Sequence, residues 1–241
     1  MLIKVALNGS RKRWEHPGIP ITAMELGAEA AAAVAAGAGA IHFHARSPDG
    51  GESVRPEDVA AGLIGIRSRV AGTPVGVSTG SWIEPDVEKR FDAVSRWNVL
   101  PDFASVNFKE DGATELAELL LRKAVKVEAG ISDLPGTQVF WRSGLGPRCL
   151  RILIEPMEQV LASALENLRT ILSELDEHRS ECPRVLHGME ATSWEMIDQA
   201  ARHGYGTRVG FEDILTLPGG QPAKGNGELV AEAVRRIGKR A

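Results

Sequence analysis

Two histidines one residue apart, His42 and His44, lie in the apolar run AIHFHAR, and Arg46 follows at the same spacing. Alternate side chains of an extended segment share a face, so these three point the same way. Near the other end of the chain, TRVGFED places Arg208, Gly210 and Glu212 on one face by the same rule. If both faces turn inward, two imidazoles and a carboxylate converge and leave a further coordination position open. That is the donor set of a catalytic zinc site, in which the ion polarises a carbonyl or activates water. A lone strand histidine is more often a core residue with hydrogen bonds at both ring nitrogens. Two at i and i+2, at the end of a strand, favour metal ligands instead. Asp213 could serve as a base beside the Glu212 ligand, with Arg208 holding it ionised. Strict alternation points Asp213 away from Glu212, so that pairing requires the strand to end or bulge there. Ser78, Thr79 and Gly80 in PVGVSTG offer hydroxyls and a close backbone approach to an oxyanion, or form an ordinary strand exit.

Such residues need a frame that gathers strand ends. Short β-branched runs recur at 2–8, 40–46, 74–80, 103–108, 126–132, 149–155, 184–190 and 207–213, and helical patterns such as TAMELGAEAAAAVAAG and EQVLASALENLRTILSEL lie between them. GELVAEAVRRIGKR closes the chain as a last amphipathic helix. Strands alternating with helices predict parallel pairing through right-handed crossovers. Eight such units close into a (β/α)8 TIM barrel, taken here as a single domain over residues 1–241. An open doubly wound sheet would call for a glycine-rich loop after the first strand, and ALNGSRKRW has none. In a barrel the active site lies at the C-terminal strand ends, where these polar residues concentrate.

Bulk properties narrow the classes further. The 241 residues carry 28 Lys plus Arg against 32 Asp plus Glu, a net charge of −4 without a basic footprint for nucleic acid. Cys149 and Cys182 are far apart and form no CxxC, which argues against a disulfide framework and suits a reducing cytoplasm. The opening MLIKVALNG is too short an apolar run for a signal peptide, and the alanine-rich stretch 28–40 is interrupted by Glu29, so no membrane span is expected.

The segments PITAMELGAEAAAAVAAGAGAIHFHARSPDGGES, VSTG, TRVGFEDIL and GQPAKGNGELVAEAVRRI, in this order, resemble the β-keto acid cleavage enzyme family. The resemblance runs from the first strand to the last helix. It implies a zinc-bearing barrel, one Zn2+ per chain, that takes a β-keto acid and acetyl-CoA to acetoacetate and a new acyl-CoA. By matching motifs it gives His42, His44 and Glu212 the metal-ligand roles, and Ser78 with Arg208 and Asp213 the proton handling. It also implies a homo-oligomer, tetramer or dimer. The substrate-binding expectations are Arg46, Thr79, Gly80, Asn107 and Arg11. Arg11 stands where many relatives have an acidic residue, so it would suit an anionic keto acid, unless with Lys12 and Arg13 it is simply a solvated loop. The chain is shorter than many relatives between strands 4 and 6, around the CoA entrance. Glu128 and Glu155 are read as partners of nearby arginines, His187 as outside the ligand set, and Lys224, Gly225 and Asn226 as a phosphate loop or a helix cap. A CoA-independent aldolase or hydrolase on the same ligands is the competing class; amidohydrolases carry HxH on their first strand rather than their second.

Overall fold

The computed structural model describes residues 1–238. Eight parallel strands form a closed barrel in chain order: β1 (Ile3–Ala6), β2 (Ala40–Phe43), β3 (Val75–Ser78), β4 (Phe103–Asn107), β5 (Lys126–Ile131), β6 (Arg151–Ile154), β7 (Arg184–Leu186) and β8 (Gly206–Val209). The ring closes through β1–β8 pairing, with Lys4 opposite Arg208 and Val5 opposite Val209. Helices α1 (Ala23–Ala35), α2 (Pro56–Arg67), α3 (Val87–Ser95), α4 (Ala113–Arg122), α5 (Leu134–Ser143), α6 (Leu161–Glu177), α7 (Ser193–His203) and α8 (Asn226–Gly238) follow the strands in turn. The expected barrel is the observed one. The last predicted helical residues, 239 and 240, lie outside the described residues.

Local chemistry explains the boundaries. Thr22 caps α1 with a reciprocal capping box to Glu25, satisfying donors that the first helical turn leaves orphaned. Pro56 begins α2, where its missing N–H costs nothing. Strand residues Val5, Ile41, Val75, Val77, Val127 and Ile152 are buried, as are helix residues Leu26, Leu63, Leu116, Ile171, Ile197 and Leu229, and together they form the apolar layer outside the ring. No described helix is long and apolar enough to cross a membrane.

The barrel interior is ionic at its floor. Lys4, Glu128 and Arg151 are buried there, Glu128 bonding Lys4 on one oxygen and Arg151 Nε at 2.5 Å on the other. Arg151 also lies over the Phe103 ring, 4.5 Å from its centroid. Glu128 thus has its arginine partner, together with a lysine whose charge is unusual in an otherwise apolar strand.

The observed strands are shorter than the predicted runs. β2 stops at Phe43 and β8 at Val209. After Val209 the chain turns: the N–H groups of Asp213 and Ile214 both donate to Gly210 O, at 2.8 and 3.0 Å. Glycine is required at the pivot, because a Cβ on Gly210 would meet Ala6 O at 2.0 Å.

Candidate active site

Beyond β2 the chain stays extended because Asn8 takes over the work of a neighbouring strand. Its Oδ1 accepts the His44 N–H at 2.9 Å, and its Nδ2 donates to His44 O at 3.0 Å. His44 therefore points with His42 into the barrel mouth, their rings edge to face with centroids 5.2 Å apart. The turn after β8 brings Glu212 to the same place. His42 Nε2 lies 3.6 Å from Glu212 Oε2, and His44 Nε2 lies 3.4 Å from Glu212 Oε1. One ligand atom from each of the three fits within a 4.8 Å span. Tetrahedral coordination with bonds of about 2.1 Å separates its donors by about 3.4 Å, so the trio suits such an ion.

The surroundings support that fit. His42 Nδ1 and Glu212 Oε2 are buried without any hydrogen-bond partner, which a protein seldom tolerates except at a functional site. Burial keeps His42 well below its ordinary value despite Glu212, so it is a neutral imidazole with a lone pair to offer. For His44 burial acts in the same direction, but Glu212 and Glu52 outweigh it and raise the ring to about 9. Burial likewise disfavours the Glu212 carboxylate, yet Arg208, His44 and His42 hold it well below the usual carboxylate range. A second carboxylate, Glu52, lies 2.5 Å from His44 Nδ1 and accepts the Trp82 Nε1–H at 3.2 Å. This carboxylate–histidine pair fixes the ring and leaves Nε2 facing the site. Gly9 adopts φ +53°, and a Cβ there would strike Glu212 Cγ at 2.4 Å, so the carboxylate packs directly on backbone.

Arg208 spans the two acidic residues of the turn. Its Nε lies 3.1 and 3.2 Å from the oxygens of Asp213, and its Nη2 lies 3.1 Å from Glu212 Oε1. The pairing that strict alternation forbade is present because β8 ends before it.

All of this opens into a cavity of about 890 Å³ at the C-terminal strand ends. Of the expected residues, Arg11, His42, His44, Ser78, Asn107, Arg208 and Glu212 line it. Ser78 Oγ receives only a 3.4 Å contact from Gly80 N–H, and Asn107 Nδ2 donates to Glu110 at 2.7 Å. Four others stand back from the wall. Arg46 is committed to the carbonyls of Gly9, Arg11 and Gly50, bracing the loop after β1. Thr79 Oγ1 donates to Ser105 O at 2.6 Å, tying β3 to β4. The Trp82 ring occupies the space in front of Gly80. Asp213 is fully buried behind Arg208.

Arg11 is no solvated loop residue. It donates to Phe211 O at 2.7 Å and pairs with Glu15 and Glu190 at the rim. Asn226 is buried, bonding Leu7 O and Phe211 N–H, so this residue anchors α8 rather than a phosphate. Asn8, Glu52 and Trp82 escaped the sequence reading. Glu52 lay within RSPDGGES, and an acidic residue just past the two histidines was the available signal. Glu155 meets His187 rather than an arginine, with Oε2 3.2 Å from Nε2.

The fold and site are those of a closed parallel barrel with a His–His–carboxylate trio at its mouth that could hold a metal ion. The chain belongs to the family described as beta-keto acid cleavage enzyme, whose family model matches residues 1–240. It is an enzyme of that carbon–carbon-cleaving family. It is 28% identical over 251 residues to the 3-keto-5-aminohexanoate cleavage enzyme of Acetoanaerobium sticklandii, covering 98% of this chain and 90% of the relative. Over 81 residues, 33% of this chain and 28% of the relative, it is 42% identical to a 3-oxoadipate:acetyl-CoA acetyltransferase of Cupriavidus necator. Among solved structures, the binary complex of ObcA with oxaloacetate superposes with a TM-score of 0.74 at 17% identity. That match covers 93% of this chain and 65% of the other, and it speaks to the fold alone.

Proposed function

We propose that the chain is a zinc-dependent acyltransferase that takes a β-keto acid and acetyl-CoA to acetoacetate and a new acyl-CoA. The observation that carries this reading is the His42–His44–Glu212 trio, open to the cavity and flanked by the Arg208–Asp213 pair. Two imidazoles and a carboxylate suit zinc, which would polarise the keto oxygen and offset the charge of the enolate. The small similarity to an acetyl-CoA acetyltransferase supports acetyl-CoA as the second substrate.

In this reading the chain's own residues handle position and protons. Ser78 would turn its hydroxyl to the substrate oxygen, and Asn107 would orient the carboxylate end from the β4 side. Arg208 holds Glu212 and Asp213 in fixed geometry and keeps the Asp213 carboxylate available for the proton-transfer steps. Arg11 would meet the far end of the keto acid at the rim. An anionic tail there must compete with Glu15 and Glu190 for its guanidinium. Exposed Trp14 and Met24 would give a dimer or tetramer some of its contact surface.

The test is purified, zinc-loaded protein incubated with acetyl-CoA and cationic, neutral and anionic β-keto acids, with acyl-CoA species followed by mass spectrometry. A new acyl-CoA that disappears in His42→Ala is the expected result. Loss of keto acid without any acyl-CoA would replace the reading with a CoA-independent aldolase or hydrolase.

A further inference from the structure

Acetyl-CoA carries its phosphates at the far end of a long pantetheine arm. With the thioester at the ligand trio, those phosphates reach the cavity rim. In a (β/α)8 barrel the usual phosphate seat is a helix start beside the last strands. Here the start of α8 is filled from within. Glu29 of α1 accepts the Asn226 backbone N–H at 2.7 Å and its side-chain Nδ2–H at 2.9 Å. A Cβ on Gly225 would lie 3.2 Å from both Glu29 oxygens, so this carboxylate sits directly against the loop. The Lys224 N–H is taken by Glu228 at 2.7 Å. A resident carboxylate repels the anion that this helix end would otherwise attract.

The cavity wall offers cations elsewhere. Among the described residues they are Arg11, Lys109 and Arg208. Arg208 is bound by Glu212 and Asp213, and Arg11 by Glu15, Glu190 and Phe211 O. Lys109 has only Asp133, at 4.0 Å, with side chains 50% and 39% exposed. So loose and wet a pair contributes little, and Asp133 also caps α5, accepting the Gly136 N–H at 2.8 Å. The backbone at Lys109 is fixed by contrast. Phe108 N–H donates to Gly130 O at 2.9 Å, carrying the β4–β5 pairing past the end of β4. The buried Phe108 ring packs edge to face on Phe140, while Asn107 and Lys109 on either side line the cavity. Two carboxylates share this wall. Glu110 is occupied on both oxygens, by Asn107 Nδ2 at 2.7 Å and Ser81 N–H at 2.8 Å. Asp111 opposes an anion, so the lysine has to outweigh it.

We propose that Lys109 binds the diphosphate of acetyl-CoA. The assignment rests on the acyl-transfer reading above. In the ring of eight, β4 stands opposite β8, so Lys109 lies across the mouth from the β1–β8 side where Arg11 is held. The two substrates then approach the trio from opposite sides, the keto acid past Arg11 and the thioester past Lys109. The lysine touches the phosphates and stays far from the reacting carbon, so it acts on the binding of one substrate alone.

The test uses zinc-loaded protein and three thioesters: acetyl-CoA, acetyl-dephospho-CoA, which keeps the diphosphate, and acetyl-pantetheine, which has no diphosphate. The wild type should have a KM for acetyl-CoA about tenfold or more below that for acetyl-pantetheine, the worth of one charge-assisted hydrogen bond. Lys109→Ala should erase most of that preference by raising the acetyl-CoA KM, with kcat and the keto acid KM little changed. Lys109→Glu should raise it further, Lys109→Arg should restore it, and acetyl-dephospho-CoA should follow acetyl-CoA throughout. Added salt should raise the acetyl-CoA KM more in the wild type than in Lys109→Ala. A preference for acetyl-CoA that survives in Lys109→Glu overturns the assignment and leaves acyl transfer standing. An equal loss with acetyl-pantetheine does the same, because it marks a structural role. A wild type that makes no new acyl thioester from any of the three overturns the acyl-transfer reading and this assignment with it.

Discussion

Asn8 holds His44 by its backbone, accepting the N–H at 2.9 Å and donating to the carbonyl at 3.0 Å across 36 residues of sequence. One side chain thereby replaces the ladder that β1 and β2 have ceased to form. The donor geometry of the trio depends on this grip as much as on the histidine itself. Groups that orient a ligand typically account for about 10–100-fold in metal affinity. Asn8→Ala should weaken zinc binding by that factor, measured by competition with a chelator, while the far-ultraviolet spectrum stays that of the barrel. Unchanged affinity would show that His44 is oriented by Glu52 and packing alone.

Gly210 makes a separate prediction. Its Cβ position is 2.0 Å from Ala6 O, a backbone atom that cannot move without parting β1 from β8. Gly210→Ala should therefore cost about 3 kcal/mol or more in urea unfolding, the range of serious core strain. Gly220 is a useful control: it has φ +82° but nothing within 4 Å of its Cβ. Gly220→Ala should cost only about 1 kcal/mol, from backbone conformation alone. Equal costs at the two sites would contradict the close approach.

How far the sequence could be read follows from where each residue finds its partner. The barrel was legible because each strand and helix carries its own period, and His42 and His44 because alternation is local; Glu212 reaches them through the turn after β8 instead. The Asp213 pairing was legible only as a condition. Whether β8 stops at Val209 depends on Gly210 meeting Ala6, which lies at the far end of the chain. Lys4 is a charge among apolar neighbours, and its partner Glu128 is 124 residues away. The Glu155–His187 contact spans 32 residues and two strands, beyond any local pattern. Arg46, Thr79 and Gly80 were placed at the substrate by their position after a strand. Their side-chain partners and neighbours, which decide otherwise, lie on other segments.

The buried floor should govern acid stability. Burial works against the Glu128 charge, but Lys4 and Arg151 outweigh it and hold the carboxyl well below its ordinary 4.5. A folded value below the unfolded one means that the unfolded chain binds more protons between the two. Stability is then full above about 4.5 and falls as pH drops toward the folded value. Glu128→Gln strands two buried cations and should cost about 3–5 kcal/mol at neutral pH. Urea titrations at successively lower pH should show the wild type losing stability toward the variant. Curves that stay parallel through the acid range would contradict this role.

The central claim is that the cavity joins the keto acid to the acetyl group before it parts them. Acetyl-CoA labelled with carbon-13 in both acetyl carbons separates this account from simple cleavage most directly. The account predicts acetoacetate carrying both labelled carbons in its methyl and keto positions, beside an unlabelled new acyl-CoA. Unlabelled acetoacetate, or label remaining wholly in acetyl-CoA while the keto acid disappears, would contradict it.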